Sequence, residues 1–314
     1  RFSMNAISPE LKAEMSQRNA WLCILTLVYV FAGYIFAITS ICSHSWHINI
    51  VGVLLLIHTL IWAAYLVHEA IHGTISRQPN VNVFVGNLML FITGSGYCRF
   101  QDLARNHLAH HKNRADFSAF SIPDFLNSLP EAVKQTIVLL EWLYFPLINF
   151  ILRWFCIVSP FLGTSRKDER LRNVVVLLVR GSLFLLLGWY SPKAILLYFF
   201  AYICFINLLR FIDCFQHTFQ VFQLNQELPQ YSLEYEEKHT YSNLVSLRVW
   251  WLNAFFLNFG YHNAHHRLIS CPWYLLQKLD SQLYSEQYCQ RITLNRLVRN
   301  YHRFRINRLF NGQG

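Results

Sequence analysis

The sequence predicts an all-α integral membrane protein, with four transmembrane helices in two hairpins and a helical cap on one side of the membrane. Three observations predict it. Of 314 residues, 54% are hydrophobic and only 14% charged, a charged share well below that of a soluble domain. Four apolar runs are each about 20 residues long, the length a helix needs to cross a hydrocarbon core of roughly 30 Å. Nine of the fourteen histidines fall in tight groups at or beyond the ends of those runs.

The first span, Ala20–Ile41, carries no charge. It follows a mixed-charge stretch (Glu10, Lys12, Glu14, Arg18), exceeds the core of about 7–15 residues found in a signal peptide, and has no small-residue cleavage site after it, so it reads as a span. The second, Ile48–Val67, is also uncharged. Val81–Thr93 is too short to cross and reads as re-entrant or surface-lying. Ala132–Leu162 is broken by Glu141, Pro146, Arg153 and Pro160. It reads as interfacial helices, apolar side down and charges toward water, with a membrane hairpin as the alternative. The third span, Leu171–Tyr190, contains Arg180 near its middle, which is costly unless it snorkels or faces the bundle interior. The fourth, Lys193–Ile212, is charged only at Lys193 and Arg210. With no Pro-, Gly- or Ser-rich linker, residues 1–314 read as one domain. Its spans fall at about 20–41, 48–67, 171–190 and 193–212, and its cap covers 73–170 and 214–314.

Orientation follows the basic residues. The turns at Cys42–His47 and Ser191-Pro192 are nearly uncharged. The segment after the second span carries Arg77, Arg99, Arg105, Lys112 and Arg114, and the tail adds Arg291, Arg296, Arg299, Arg303, Arg305 and Arg308. The positive-inside rule places both termini, the middle segment and the histidine groups in the cytoplasm. The net charge of +10 belongs to that face. Its basic residues do not interleave with aromatics as in a nucleic-acid module, so membrane lipid headgroups are the expected contact and nucleic acid is not. The eight cysteines (23, 42, 98, 156, 204, 214, 271 and 289) include no C-x-x-C pair, which argues against a disulfide frame or a zinc module.

The histidines carry the chemistry. They occur as His68-x-x-x-His72, His107-x-x-His110-His111, a lone His217, and His262-x-x-His265-His266. On a helix, residues i, i+3 and i+4 share a face, so each group aims its imidazoles at one point. Imidazole suits iron, zinc, copper and nickel alike. Nine ligands exceed the needs of one ion and suit two, each with a position left open. His44, His47, His58, His239 and His302 lie off the pattern and are given no metal role.

The motifs HEAIH (68–72), HLAHH (107–111) and HNAHH (262–266) resemble the three histidine boxes of the membrane fatty-acyl desaturases in order and spacing. The resemblance covers about Ile48 to Trp273. It implies that His217, in FIDCFQHTF, is the ninth ligand at the end of the fourth span. In the animal acyl-CoA desaturases an asparagine one turn earlier reaches a metal through water; here that position is Asp213, so a water-bridged, direct or outer carboxylate is left open. The first box has three intervening residues rather than four, which tilts toward the acyl-lipid or bacterial branches.

The resemblance further implies a di-iron centre, O₂ as co-substrate, and insertion of a cis double bond into an acyl chain carried by lipid, CoA or carrier protein. The alternative within the superfamily is a di-iron hydroxylase or ketolase acting on a carotenoid, sterol or lipid. A non-catalytic metal transporter would instead string its histidines along the spans. Glu69, Asp102, Asp116 and Asp213 are candidates to orient the imidazoles. For Asp213 the competing role is a salt bridge with Arg210, and for Glu69 it is exposure to solvent. Asn258 could orient His262. No flavin fingerprint, rubredoxin cysteines or haem domain is evident, so a separate electron donor, of ferredoxin or cytochrome type, is expected at the basic face.

Overall fold

The computed structural model describes residues 7–311, apart from 119, 165, 224, 225 and 286–289; Cys289 therefore lies outside the described residues. Helices dominate. A short α1 (Pro9–Gln17) leads into α2 (Ala20–Ile41), whose first turn is closed by Asn19 accepting from the Leu22 amide at 3.2 Å. Next come α3 (Trp46–Ile71), α4 (Pro79–Ile92) and α5 (Phe100–Asn113), then β1 (Asp116–Ser118), α6 (Ile122–Ser128), α7 (Glu131–Trp142) and α8 (Leu147–Leu162). A single 3₁₀ turn precedes α9 (Arg170–Tyr190). Ser191 caps α10 (Pro192–Asp213), accepting from the Ala194 amide at 3.2 Å, with Pro192 in the first turn where its missing N–H costs nothing. The remainder comprises β2 (Val221–Gln223), α11 (Leu233–His239), β3 (Ser242–Leu244), α12 (Trp250–Ala254), α13 (His262–Arg267), α14 (Leu276–Leu283), β4 (Arg291–Thr293), α15 (Leu294–Phe304) and α16 (Asn307–Asn311). The strands form two parallel pairs, β1 with β2 and β3 with β4.

Among the described residues four helices are long and apolar enough to cross a membrane: α2, α3, α9 with its preceding turn, and α10. This is an all-α membrane fold. Its two outer turns meet. Lys193 donates to Ser43 O at 2.6 Å and to Asn49 Oδ1 at 2.7 Å, while Asn49 donates to Ser40 O and Ser43 O, each at 2.9 Å. Both hairpins therefore turn at the same end of the bundle, and the opposite end carries His68, His72 and the chain leading to His217. The central span is α3, packed against α2, α4 and α10; α9 lies at the periphery, with only 6% of its apolar stretch buried.

Arg180 faces inward rather than toward lipid. It donates to Phe91 O at the end of α4 and lies 5.5 Å from the ring centres of Phe91 and Phe184. Arg153 donates to Thr93 O and Ser95 Oγ, and Tyr202 donates to Thr93 O at 2.8 Å. Two cations and a phenol thus satisfy the exposed carbonyls and negative dipole end of α4. The chain turns there at Gly94 (φ +73°), where a Cβ would sit 3.1 Å from both Arg180 Nη2 and Tyr202 Oη.

The stretch 132–162 does break near Pro146, its two helices α7 and α8 meeting at 114°. The expectation that its charges face water needs correction. Glu141 is buried, pairing with Arg210 at 2.7 Å and accepting from the Ile148 amide at 2.6 Å, and Arg153 is turned to α4. Each of these two charges is met by protein groups rather than left to water.

Candidate metal centre

Each histidine group sits on a different element. His68 and His72 end α3. His107, His110 and His111 lie on one face of α5, which stops where Arg114 takes a left-handed conformation (φ 55°) with its amide bonded to His110 O at 2.9 Å. His262, His265 and His266 occupy α13. This six-residue helix is fixed through Asn263, which donates to Thr240 O at 2.7 Å and accepts from Ser242 Oγ at 2.8 Å. Behind it, Gly260 packs on β3 so closely that a Cβ would fall 2.1 Å from Asn243 O. Asn243 in turn donates to Ile212 O and Cys214 O at the end of α10, three residues from His217.

All nine imidazoles converge. Ring nitrogens of His68, His72, His107, His111 and His265 lie within 4.8 Å of one another, as do those of His110, His111 and His266, and those of His217, His262 and His266. His111 is shared by the first two sets and His266 by the last two, so the sets run into one another; taking His111 with the first leaves His110, His217, His262 and His266 as a second group beside it, with His217 4.7 Å from His110 and 4.5 Å from His266, centre to centre. Nε2 atoms face each other across each group: His72–His107 at 3.0 Å, His107–His111 at 3.1 Å, His111–His265 at 3.2 Å, and His217–His262 at 2.7 Å. Burial, and then the neighbouring imidazoles, hold His107, His111, His217, His262, His265 and His266 well below the usual histidine range, and push His72 down to about 2. Their neutral rings keep lone pairs available.

The donor set fits a metal. Both ring nitrogens of His68 and Nε2 of His266 are buried without a hydrogen-bond partner, a costly state for polar atoms that coordination would relieve. Three of the four opposite nitrogens of the second group are held by protein. His110 Nδ1 lies 2.9 Å from Asp116 Oδ1 and 3.1 Å from Ala115 O; His266 Nδ1 lies 2.9 Å from Glu236 Oε1. His217 Nδ1 is 3.4 Å from Thr240 Oγ1. Such outer bonds fix the tautomer and raise the basicity of a ligating ring.

The acids beside the boxes divide. Asp116 meets a histidine. Asp102 does not: it pairs with Arg99 at 2.8 Å and Arg105 at 3.3 Å on the surface. Glu69 is buried, not solvent-facing, accepting from Thr74 Oγ1 at 2.6 Å and the Trp273 amide at 3.1 Å, and its Oε1 stays 3.9 Å from His68 Nδ1. Asp213 is not paired with Arg210, which is committed to Glu141; instead it accepts from Tyr65 Oη at 3.0 Å. Asn258 donates to Trp273 O rather than to His262. Glu236, on α11 and thirty residues from its partner, escaped sequence reasoning. So did Arg114, which donates to Glu236 Oε2 at 2.9 Å. No local spacing could have announced a contact between separate elements.

Beside the second group opens a cavity of about 550 Å³, whose wall includes His107, His110, His217, Asp116 and Asp213, with Leu103, Phe117, Ile122, Ile148 and Leu152 as apolar lining. A buried polyhistidine cluster next to a cleft lined by both apolar and charged side chains, and four spans, is now in place, and the model of one family, fatty acid desaturase, matches residues 44–295. This chain belongs to the fatty acid desaturase family. No curated protein matches it. As a desaturase-family member it is a membrane oxidoreductase whose substrates are lipids, and its histidine clusters could bind metal.

Proposed function

We propose that this desaturase-family chain inserts a cis double bond into a lipid acyl chain, using O₂ and two iron ions. The convergence of nine imidazoles supports this most directly. His68, His72, His107, His111 and His265 would hold one ion; His110, His217, His262 and His266 would hold the other. Iron bound there would supply the redox chemistry with O₂ that cleaves an unactivated C–H bond.

The reaction balances as –CH₂–CH₂– + O₂ + 2e⁻ + 2H⁺ → –CH=CH– + 2H₂O. The chain's own residues have three tasks. Leu103, Phe117, Ile122, Ile148 and Leu152 give an acyl chain an apolar strip of the cavity wall beside the cluster. Asp116, Glu236 and Thr240 orient His110, His266 and His217. Asp213 offers a carboxylate within the same wall.

The distribution of basic residues supports a cytoplasmic location for the cluster and both termini. It also supports a single unit over 1–314, with a cap at 73–170 and 214–314. The two electrons would come from a separate donor of ferredoxin or cytochrome type, steered to the basic face; reduction rates independent of ionic strength would count against that docking.

The test is expression in a host of simple lipid composition, followed by gas chromatography–mass spectrometry of its fatty acids. A new monoene or diene is expected. Hydroxylated or keto products without a new alkene would replace the reading with that of a related hydroxylase or ketolase. Metal analysis should find close to two irons per chain, with loss in His110→Ala and His265→Ala; full retention in both would refute the site.

A further inference from the structure

We propose that Cys98 and Cys156 form a reversible disulfide when the protein meets hydrogen peroxide, and that the bond clamps α8 to the chain entering α5 along one edge of the cavity beside the histidines. The modification is independent of which reaction the histidine site performs.

The two cysteines are 58 residues apart in the chain, yet the Cys98 thiol donates to Cys156 Sγ at 3.4 Å. Both are free and half-buried. Other thiols meet backbone instead: Cys214 donates to Phe211 O at 3.0 Å and Cys271 to Pro272 O at 3.7 Å. A disulfide needs its sulfurs ~2.05 Å apart and its two backbones held close. Three side chains hold them here. Arg172, on α9, donates to Gly96 O, Tyr97 O and Cys98 O at 3.0, 2.8 and 3.0 Å. Asn173 donates to Cys156 O at 3.1 Å. Arg153, three residues before Cys156 on α8, donates to Thr93 O and Ser95 Oγ and so joins α8 to the loop that carries Cys98.

The pair is also polarised. The bond from the Cys98 thiol draws the Cys156 thiol below its usual range, helped by the Arg166 and Arg153 charges and opposed by burial. The same bond, and then burial, push Cys98 up. Cys156 is thus the nucleophile and Cys98 the thiol that resolves it. The Cys156 thiolate attacks one peroxide oxygen; an S–O bond forms, the O–O bond breaks, and hydroxide leaves to be protonated to water. Cys98 sulfur then attacks Cys156 sulfur; the S–S bond forms, the S–O bond breaks, and a second water leaves. The balance is 2 RSH + H₂O₂ → RSSR + 2H₂O. The bond falls where it can be felt. Of the cavity wall, α8 supplies Ile148, Asn149 and Leu152, and α5 supplies Leu103, His107 and His110. Cys156 stands one turn beyond Leu152, and Cys98 two residues before α5. A covalent tie there limits how far the two walls can part.

The test treats the full chain, as purified, with graded hydrogen peroxide and follows it by peptide mapping, melting temperature and amide hydrogen exchange. None of these readouts needs turnover, so failure of the proposed reaction leaves them intact. The parent is expected to lose two hydrogens as one cross-linked peptide pair joined through Cys98 and Cys156, restored by dithiothreitol. Closing the loop between them should raise the melting temperature, and exchange should slow over residues 100–106 and 148–156. Cys98→Ser and Cys156→Ser should melt like the reduced parent and show none of these changes under peroxide. Cross-links to other cysteines, or Cys156 carried to sulfinic acid while Cys98 stays reduced, overturn the pairing. A mapped Cys98–Cys156 bond with unchanged exchange in α5 and α8 overturns the clamp.

Discussion

The two halves of the histidine cluster are built differently. In the first group, at the mouth of the central span, Nδ1 of His68, His72 and His111 is buried with no hydrogen-bond partner. Those rings rest on their neighbours: His68 is edge-on to Phe259 and to fellow imidazoles, and Nε2 of His72 and of His111 lies 3.0 and 3.1 Å from His107 Nε2. In the second group, three of four rings are tied from behind, to Asp116, Glu236 and Thr240, and only His262 Nδ1 is left without a partner. Two of those four rings, His110 and His217, also border the cavity. The contrast teaches that a donor with five imidazoles can rely on ligand number, whereas one with four, facing substrate space, needs each ring oriented and made more basic.

That contrast can be broken experimentally. The largest effect should come from His110→Ala, which leaves the four-ring group one ligand short: product formation should fall below detection and iron to about one per chain, whereas His265→Ala should retain more of its ion because four rings remain beside it. Equal iron loss in the two variants, measured by plasma emission on purified protein, would erase the distinction. Glu236→Gln comes next. It removes the carboxylate charge behind His266 and leaves one acceptor oxygen for the two donors His266 and Arg114, and should weaken the second ion by about 10–100-fold while leaving the first intact. Competition with a coloured chelator should then show one shifted phase of two. Asp116→Asn acts on His110 alone and should produce the same shift at the lower end of that range, since Ala115 O still accepts from the ring. The smallest effect belongs to Asp102→Asn. Its carboxylate is more than a third exposed and touches only Arg99 and Arg105, so stability should change by less than about 1 kcal/mol and metal content not at all; loss of iron here would mean that proximity in sequence to a box matters more than the bonded contact.

Much was legible beforehand. Four spans and their order followed from long apolar runs, because a backbone in hydrocarbon must satisfy its own hydrogen bonds and a helix of about 20 residues does so within one segment. The break at Pro146 was also visible. Less legible was the direction in which intramembrane charges point. Glu141, Arg153 and Arg180 all turn inward, because a paired residue or a bare helix terminus offers each a partner that local sequence does not reveal.

The sequence by itself determined which imidazoles share a face. Spacing of three and four places His107, His110 and His111 together on α5, and His262, His265 and His266 on α13, whatever surrounds them. Tertiary structure alone decided which imidazoles from different elements meet, that Glu236 stands behind His266 from an element thirty residues away, and that Tyr65 rather than Arg210 holds Asp213. The physical reason is range. Helical periodicity is local and written in the chain, whereas a hydrogen bond between side chains on different helices depends on how those helices pack, and no spacing along one of them encodes it.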